Sequence, residues 1–188
     1  MIKILHRHTR ELLLSYPYDS FIGQDLRKFN LEFADLSGRD LTKAIMEGMN
    51  LDETEFSDSI LSEANMAGCS LRESILDSAK LVKARLNGCR CSMTAFTRAD
   101  LTGADFSGSE FEGVTCFMDA TAIKTIFRNI KKFGLPIFEN TNCCGADFTG
   151  TDLTRISGGD ILNTNFDDAV LDLPSKEYLK IILQKELK

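Results

Sequence analysis

Three kinds of side chain in this sequence could do chemistry: two histidines, six cysteines and a large population of carboxylates. His6 and His8 could touch a metal ion together, but two ligands in an exposed terminal segment hold one weakly, since zinc sites use three or four protein ligands. No glycine-rich phosphate loop, GxSxG or HExxH occurs, so the usual carriers of phosphate, acyl and zinc chemistry are missing. Paired Asp and Glu side chains would suit glycoside hydrolysis only with a cleft to hold them. No catalytic residue, cofactor or metal is therefore expected. The cysteines lack CxxC…CxxC spacing. Cys69, Cys89, Cys91, Cys116 and Cys143 read as small interior fillers, and Cys144 as an outward and more reactive thiol. Cys69 and Cys89 would stack within disulfide reach, but parallel Cβ directions oppose closure.

The element that places these residues is a five-residue pattern running from Gln24 to Met118. Its large apolar centres fall at Leu26, Leu31, Leu36, Leu41, Met46, Leu51, Phe56, Leu61, Met66, Leu71, Leu76, Leu81, Leu86, Cys91, Phe96, Leu101, Phe106, Phe111 and Cys116. Two residues before most centres stands a small residue, such as Ala44, Ser59, Ala64, Ser74 or Ala104, followed by a polar one, often Asp or Asn. A helix has a period near 3.6 and a strand a period of 2, so neither accommodates a sustained period of five. A solenoid does: small and large apolar residues point inward and the other three outward. The core ladder then includes Leu41, Leu61, Leu81 and Leu101 on one side, Leu51 and Leu71 on another, and Phe106.

This pattern resembles the pentapeptide-repeat family, whose motif is A(D/N)LXX. The resemblance covers Gln24 to Met118 in one register and returns in pieces from Thr141 to Leu171. It implies an all-β solenoid, a right-handed quadrilateral β-helix in which four motifs make one coil, with short N- and C-terminal capping helices. The unbroken part would make not quite five coils, a rod of roughly 23 Å at the usual strand spacing. Some family members mimic duplex DNA, bind DNA gyrase or topoisomerase IV and protect it from quinolone-type inhibitors, and some dimerise through their C-terminal ends.

The 188 residues fit one domain, read as an N-terminal cap (1–23), continuous coils (24–118), an interruption (119–140), coils in a shifted register (141–173) and a C-terminal helix (174–188). In the cap, Thr9 opens a short helix that Pro17 ends, with Leu12, Leu13, Tyr16 and Phe21 covering the first coil. Ile123, Ile126, Phe127 and Ile130 lie three and four residues apart. They predict a short amphipathic helix bulging from the coil, with two degenerate faces centred on Thr121 and Ile126 as the alternative. Among the exceptions in the ladder, Phe29 and Met49 would share a face, and Arg39 would reach out or meet Asp40. In the last segment Tyr178, Leu179, Ile182 and Leu183 form an apolar side that either caps the final coil or meets a second copy. The leader lacks a signal-peptide pattern, and no run approaches the ~20 apolar residues of a membrane span, so a cytoplasmic location is expected.

Charge is uneven around a net of -6. Two adjacent faces carry Glu32, Asp35, Asp52, Glu53, Glu55 and Asp58, and with Glu47 and Glu63 they make one acidic flank. Such a surface repels nucleic acid, whose binding depends on basic groups, and suits a protein partner. The expectation is a non-enzymatic scaffold or protein-binding module, monomeric or a C-terminal homodimer, with gyrase or topoisomerase IV modulation as the alternative.

Overall fold

A computed structural model describes residues 1–186. From Asp25 onward the backbone forms coils whose rungs pair in parallel with the coil below. The first ladder runs through Asp25, Ile45, Asn65, Arg85, Asp105, Ile126, Asp147 and Val170; these eight rungs span about 34 Å. The second runs through Asn50, Ser70, Arg90, Glu110 and Lys131. The third passes through Asp35, Glu55, Ile75, Ala95, Cys116 and Ile137, and the fourth through Asp40, Ile60, Lys80, Asp100, Thr121, Asn142 and Asn165.

The backbone bonds explain the five-residue motif. In the repeat centred on Leu61, the Leu61 N–H donates to Lys80 O (2.7 Å), Glu63 N–H to Val82 O (2.9 Å), Ile60 N–H to Arg39 O (2.9 Å) and Ser59 N–H to Phe56 O (3.0 Å). One amide per repeat lacks a backbone partner, that of the residue after the centre. The Asp or Asn two positions earlier takes it: Thr42 N–H donates to Asp40 Oδ1 at 3.0 Å and Asp52 N–H to Asn50 Oδ1 at 3.1 Å. These are Asx turns, which short carboxylate and amide side chains make best. The second residue after most centres has positive φ, whether Gly48 (71°), Glu53 (53°) or Asp58 (59°).

Inside, Leu41, Leu51, Leu61, Leu71, Leu81, Leu101 and Phe106 are all fully buried. Lower down the centres become aromatic. Phe96, Phe117 and Phe138 stack nearly parallel at 5.1 and 4.8 Å between ring centroids, and Phe106, Phe127 and Phe148 at 5.4 and 4.9 Å. Most polar residues at the small position are satisfied by the coil above: Ser74 Oγ donates to Leu51 O (2.7 Å), Thr94 Oγ1 to Leu71 O (2.7 Å) and Cys89 Sγ to Met66 O (3.0 Å), while Ser59 Oγ has no partner.

Residues 119–140 are not a helix. Bridges continue through them, with partners twenty-one residues apart instead of twenty, as in Ala95↔Cys116 and Asp105↔Ile126. One residue is inserted between the bridge residues Glu110 and Cys116, and a second between Lys131 and Ile137. Their stacked sites form two short parallel strands, β4 (Val114–Cys116) and β5 (Leu135–Ile137). The inward residues are therefore Phe117, Ala122 and Phe127, all fully buried, while Cys116, Thr121 and Ile126 are half-buried bridge residues. Ile123 and Ile126 are half-buried while Phe127 and Ile130 are buried, so the helix-like spacing mixes residues from both sides of the coil wall. A last insertion at Arg155–Asp160 carries the 3-10 turn Gly159–Ile161 and lengthens the next rungs to twenty-three residues, as in Asn142↔Asn165.

The N-terminal cap is also not a helix. β1 (Ile2–His6) and β2 (Leu12–Tyr16) form an antiparallel hairpin, and β1 pairs with β3 (Ala34–Asp35) at the open end of the third ladder. The exposed edge of the first coil offers unpaired amides, and a strand satisfies these where a helix would not. Ile4 and Tyr16 face inward and are buried, and Phe29 packs edge-on against Tyr16 at 5.1 Å. At the other end, α1 (Leu173–Glu186) buries Leu179 and donates the Tyr178 hydroxyl to Ile156 O at 2.8 Å. Ile182 and Leu183 pack partly buried against the core, while Leu173 and Ile181 are exposed.

Candidate protein-binding surface

The ladders divide the eight carboxylates of the expected flank. Asp35 and Glu55 stand next to each other on the third ladder. Glu32, Asp52 and Glu53 lie on the bend before it, and Asp58 on the bend after it. Glu47 falls between the first and second ladders, where it accepts a bond from Asn65 Nδ2 at 3.0 Å. Glu63 falls between the fourth and first, 3.6 Å from Lys43. Those two face other sides of the rod, so six of the residues form a surface and Glu47 and Glu63 do not join it.

The hairpin also reaches onto this surface. Arg10 Nη1 pairs with Asp35, and His8 Nε2 lies 3.1 Å from Glu53 Oε2. Arg7 Nη1 donates to the backbone carbonyls of Glu53 (2.8 Å) and Glu73 (3.2 Å). Burial alone would raise the Asp35 carboxyl, but bonds from Ser37 and Arg10 hold it below the usual carboxylate range. His6 stacks on Phe33 at 5.1 Å, and its Nδ1 accepts the His8 amide at 3.2 Å. The basic run Arg7-His8-Thr9-Arg10 between two apolar stretches was the available signal for a turn that meets acids.

What remains without an ion pair among the described residues is Glu32, Asp52, Glu55 and Asp58, continued one coil further by Glu73 and Asp77. Three of these are anchored as acceptors, Asp52 of the Arg72 N–H, Glu55 of the Ser57 N–H and Asp77 of the Thr97 N–H, all at 3.0 Å. Beyond them the third ladder turns apolar through Ile75, Ala95, Cys116 and Ile137, flanked by exposed Met93, Val114 and Leu135. Arg39 makes no ion pair with Asp40, whose Oδ1 takes the Thr42 hydroxyl at 2.6 Å.

The thiols offer no second site. All six cysteines are free; Cys69, Cys89, Cys91 and Cys143 are buried and Cys116 and Cys144 half-buried. Desolvation pushes Cys69 up to about 12 and raises Cys91 and Cys143 as well, which keeps these thiols protonated and unreactive. Among the described residues no group of three or more His, Cys, Asp or Glu could hold a metal, and no helix is long and apolar enough to cross a membrane.

A stack of short, parallel-bridged coils with motif-borne Asx turns defines a repeat solenoid. The family description "Pentapeptide repeats" matches in eight copies, at residues 30–66, 54–90 and 79–115. Residues 30–115 thus carry the repeats of the pentapeptide-repeat family. Curated proteins gave no match by sequence. Among solved structures the chain is similar to HetL, a pentapeptide repeat protein involved in heterocyst differentiation regulation in Nostoc sp. strain PCC 7120, at 21% identity over 78% of each chain with a TM-score of 0.44. It is similar to QnrB1, a plasmid-mediated fluoroquinolone resistance protein, at 15% identity over 87% of this chain and 94% of that one, TM-score 0.49. A pentapeptide repeat protein of the Arabidopsis thaliana thylakoid lumen matches at 24% identity over 73% and 78%, TM-score 0.31. At these scores none of the three roles extends to this chain.

Proposed function

We propose that this protein is a non-enzymatic, rod-shaped protein-binding module of right-handed, four-sided coils that works in the cytoplasm. Its docking surface is the upper part of the third ladder with the two bends beside it. The observation that carries this reading is the set Glu32, Asp52, Glu55 and Asp58, which share one side of a hydrogen-bonded stack with no cation against them among the described residues. A stiff backbone fixes the spacing of those charges before a partner arrives, so little ordering cost falls on binding. The partner's matching surface is basic, and association is steered by charge and weakens with salt.

Modulation of gyrase or topoisomerase IV is the second reading, favoured by the same acidic side. Arg7 and Arg10 dilute that side, and duplex DNA carries one charge per roughly 1.7 Å, a far higher density. A supercoiling assay with and without a quinolone separates the two. A binding module of other specificity leaves gyrase untouched at all protein concentrations, whereas a DNA mimic inhibits it or protects it at micromolar protein. Against a captured partner, the triple variant Asp52→Lys, Glu55→Lys, Asp58→Lys should abolish binding while leaving the circular dichroism spectrum unchanged. Binding that survives this reversal and is insensitive to salt would remove the acidic surface from consideration.

A further inference from the structure

Where the hairpin docks on the first coil, a cavity of about 320 Å³ is lined by Lys3, Leu5, Arg10, Asp35, Ser37 and Arg39. Leu5 pairs directly with Asp35 across β1 and β3, and Lys3 stands two residues away along β1, on the same side of the strand. One apolar side chain thus lies among three cations and one carboxylate. Asp35 is already committed: Ser37 Oγ donates to it at 2.6 Å and Arg10 pairs with it through Nη1. Lys3 and Arg39 have no carboxylate partner among the described residues, and both are exposed. The nearby acids are otherwise engaged, Asp40 with Thr42 and Asp19 with the amino terminus, while Glu55 lies one rung further along the ladder. Even with Glu55 counted, cations are in excess.

We propose that this cavity binds the phosphoryl group of a small phosphorylated molecule. A guanidinium offers five N–H donors in a planar fork that matches phosphate oxygens, and among the described residues Arg39 has all of them free of protein partners while Arg10 spends one on Asp35. The Lys3 ammonium adds a point charge from the opposite strand. The volume lies at the lower end of the ~300–1,000 Å³ range of ligand pockets, large enough for a phosphoryl group together with the small body that carries it. Because the site joins the hairpin to the coil, its ligand also fastens the cap that places Arg7 and His8 on the acidic surface. The cavity stands on its own residues, so its failure would leave the protein-binding reading untouched.

The test is a titration of the full-length protein with ribose 5-phosphate, inorganic phosphate and citrate at fixed ionic strength, followed by amide NMR shifts and thermal melting. Saturable shifts confined to Lys3, Leu5, Arg10, Ser37 and Arg39, with a raised Tm, are expected for ribose 5-phosphate, and weaker binding for inorganic phosphate. Arg39→Gln and Lys3→Gln, exposed positions whose loss leaves the fold intact, should each weaken binding about tenfold. Arg128→Gln, which removes an Arg–Asp pair at the far end of the rod, should not. No saturation by roughly 10 mM, equal binding by the parent and Arg39→Gln, or citrate binding as tightly as the phosphate ester would overturn the proposal.

Discussion

A hydroxyl at the small-residue position has a carbonyl waiting for it in the coil above, and the structure contains both the satisfied and the unsatisfied case. Ser74 Oγ reaches Leu51 O at 2.7 Å, whereas Ser59 Oγ is buried with no protein partner. Ser74→Ala should therefore cost about 1 kcal/mol, the net worth of one buried hydrogen bond, while Ser59→Ala should be neutral or stabilising because it removes a desolvated group. Urea unfolding of the two variants checks this, and equal losses would refute it. The carboxylates that close the Asx turns give the acid limit of stability. Asp35, Asp40, Asp147 and Asp152 all sit below the ordinary carboxylate range, Asp40 and Asp152 chiefly through their bonds from Thr42 and Thr154, and Asp35 and Asp147 because bonds from Ser37, Arg10, Arg128 and Thr149 outweigh burial. A depressed folded-state value means stability that is present above the unfolded value near 3.9 and lost as pH falls through the folded one. Stability should thus hold from neutral pH down to about 4 and decline below it. Arg128→Gln should flatten that decline, and chemical melts across the acid range would show it.

At the scale of elements, the inserted residues are held by backbone proximity. A Cβ on Gly134 would lie 2.5 Å from Gly113 O and 2.7 Å from Phe111 O. These are main-chain atoms of the matching insertion one coil earlier and cannot step aside. Gly134→Ala should cost several kcal/mol, in the range of overpacked sites or more, and separate β4 from β5, seen as a lowered Tm and faster exchange of the Leu135 amide, which donates to Gly113 O at 2.9 Å. The same elements show which parts of the fold could be read from sequence. The Leu31–Leu36–Leu41 series was legible because each motif repeats a local rule of turn and burial. The insertion after Phe111 was not, since one added residue leaves Cys116 in the old phase, and only Phe117 beside it reports the shift. The hairpin was hidden for a different reason: β1 finds its partner in Ala34 and Asp35, which no local pattern around Ile2–His6 announces. Its consequence for the candidate surface followed, as Arg10 pairs with Asp35 and the His8 ring meets Glu53. Glu47 and Glu63 were misplaced because sequence proximity ignores which bend of the coil a residue occupies.

For the whole molecule, each coil is stabilised by two neighbours except at the ends, so stability should be graded along the rod. The upper end is closed by a three-stranded sheet and the lower end by one helix whose buried residues, among those described, are Ser175 and Leu179. Between them two columns of three rings, Phe96–Phe117–Phe138 and Phe106–Phe127–Phe148, stand edge to face, each ring burying more area than the leucines above and adding about 0.5–1.5 kcal/mol per well-placed pair. Opening should therefore begin at α1 and the rungs Asn165 and Val170, and the slowest amides should lie where leucine and phenylalanine cores meet, at Arg85, Ala95 and Asp105. Native-state hydrogen exchange would map this, with opening free energies that fall toward the C-terminus before the N-terminus. Leu179→Ala should lower protection at Asn165 and Val170 while leaving Arg85 near its parent value. If the variant instead lowers protection uniformly along all four ladders, the rod opens as one cooperative unit and nearest-neighbour stacking does not govern its stability.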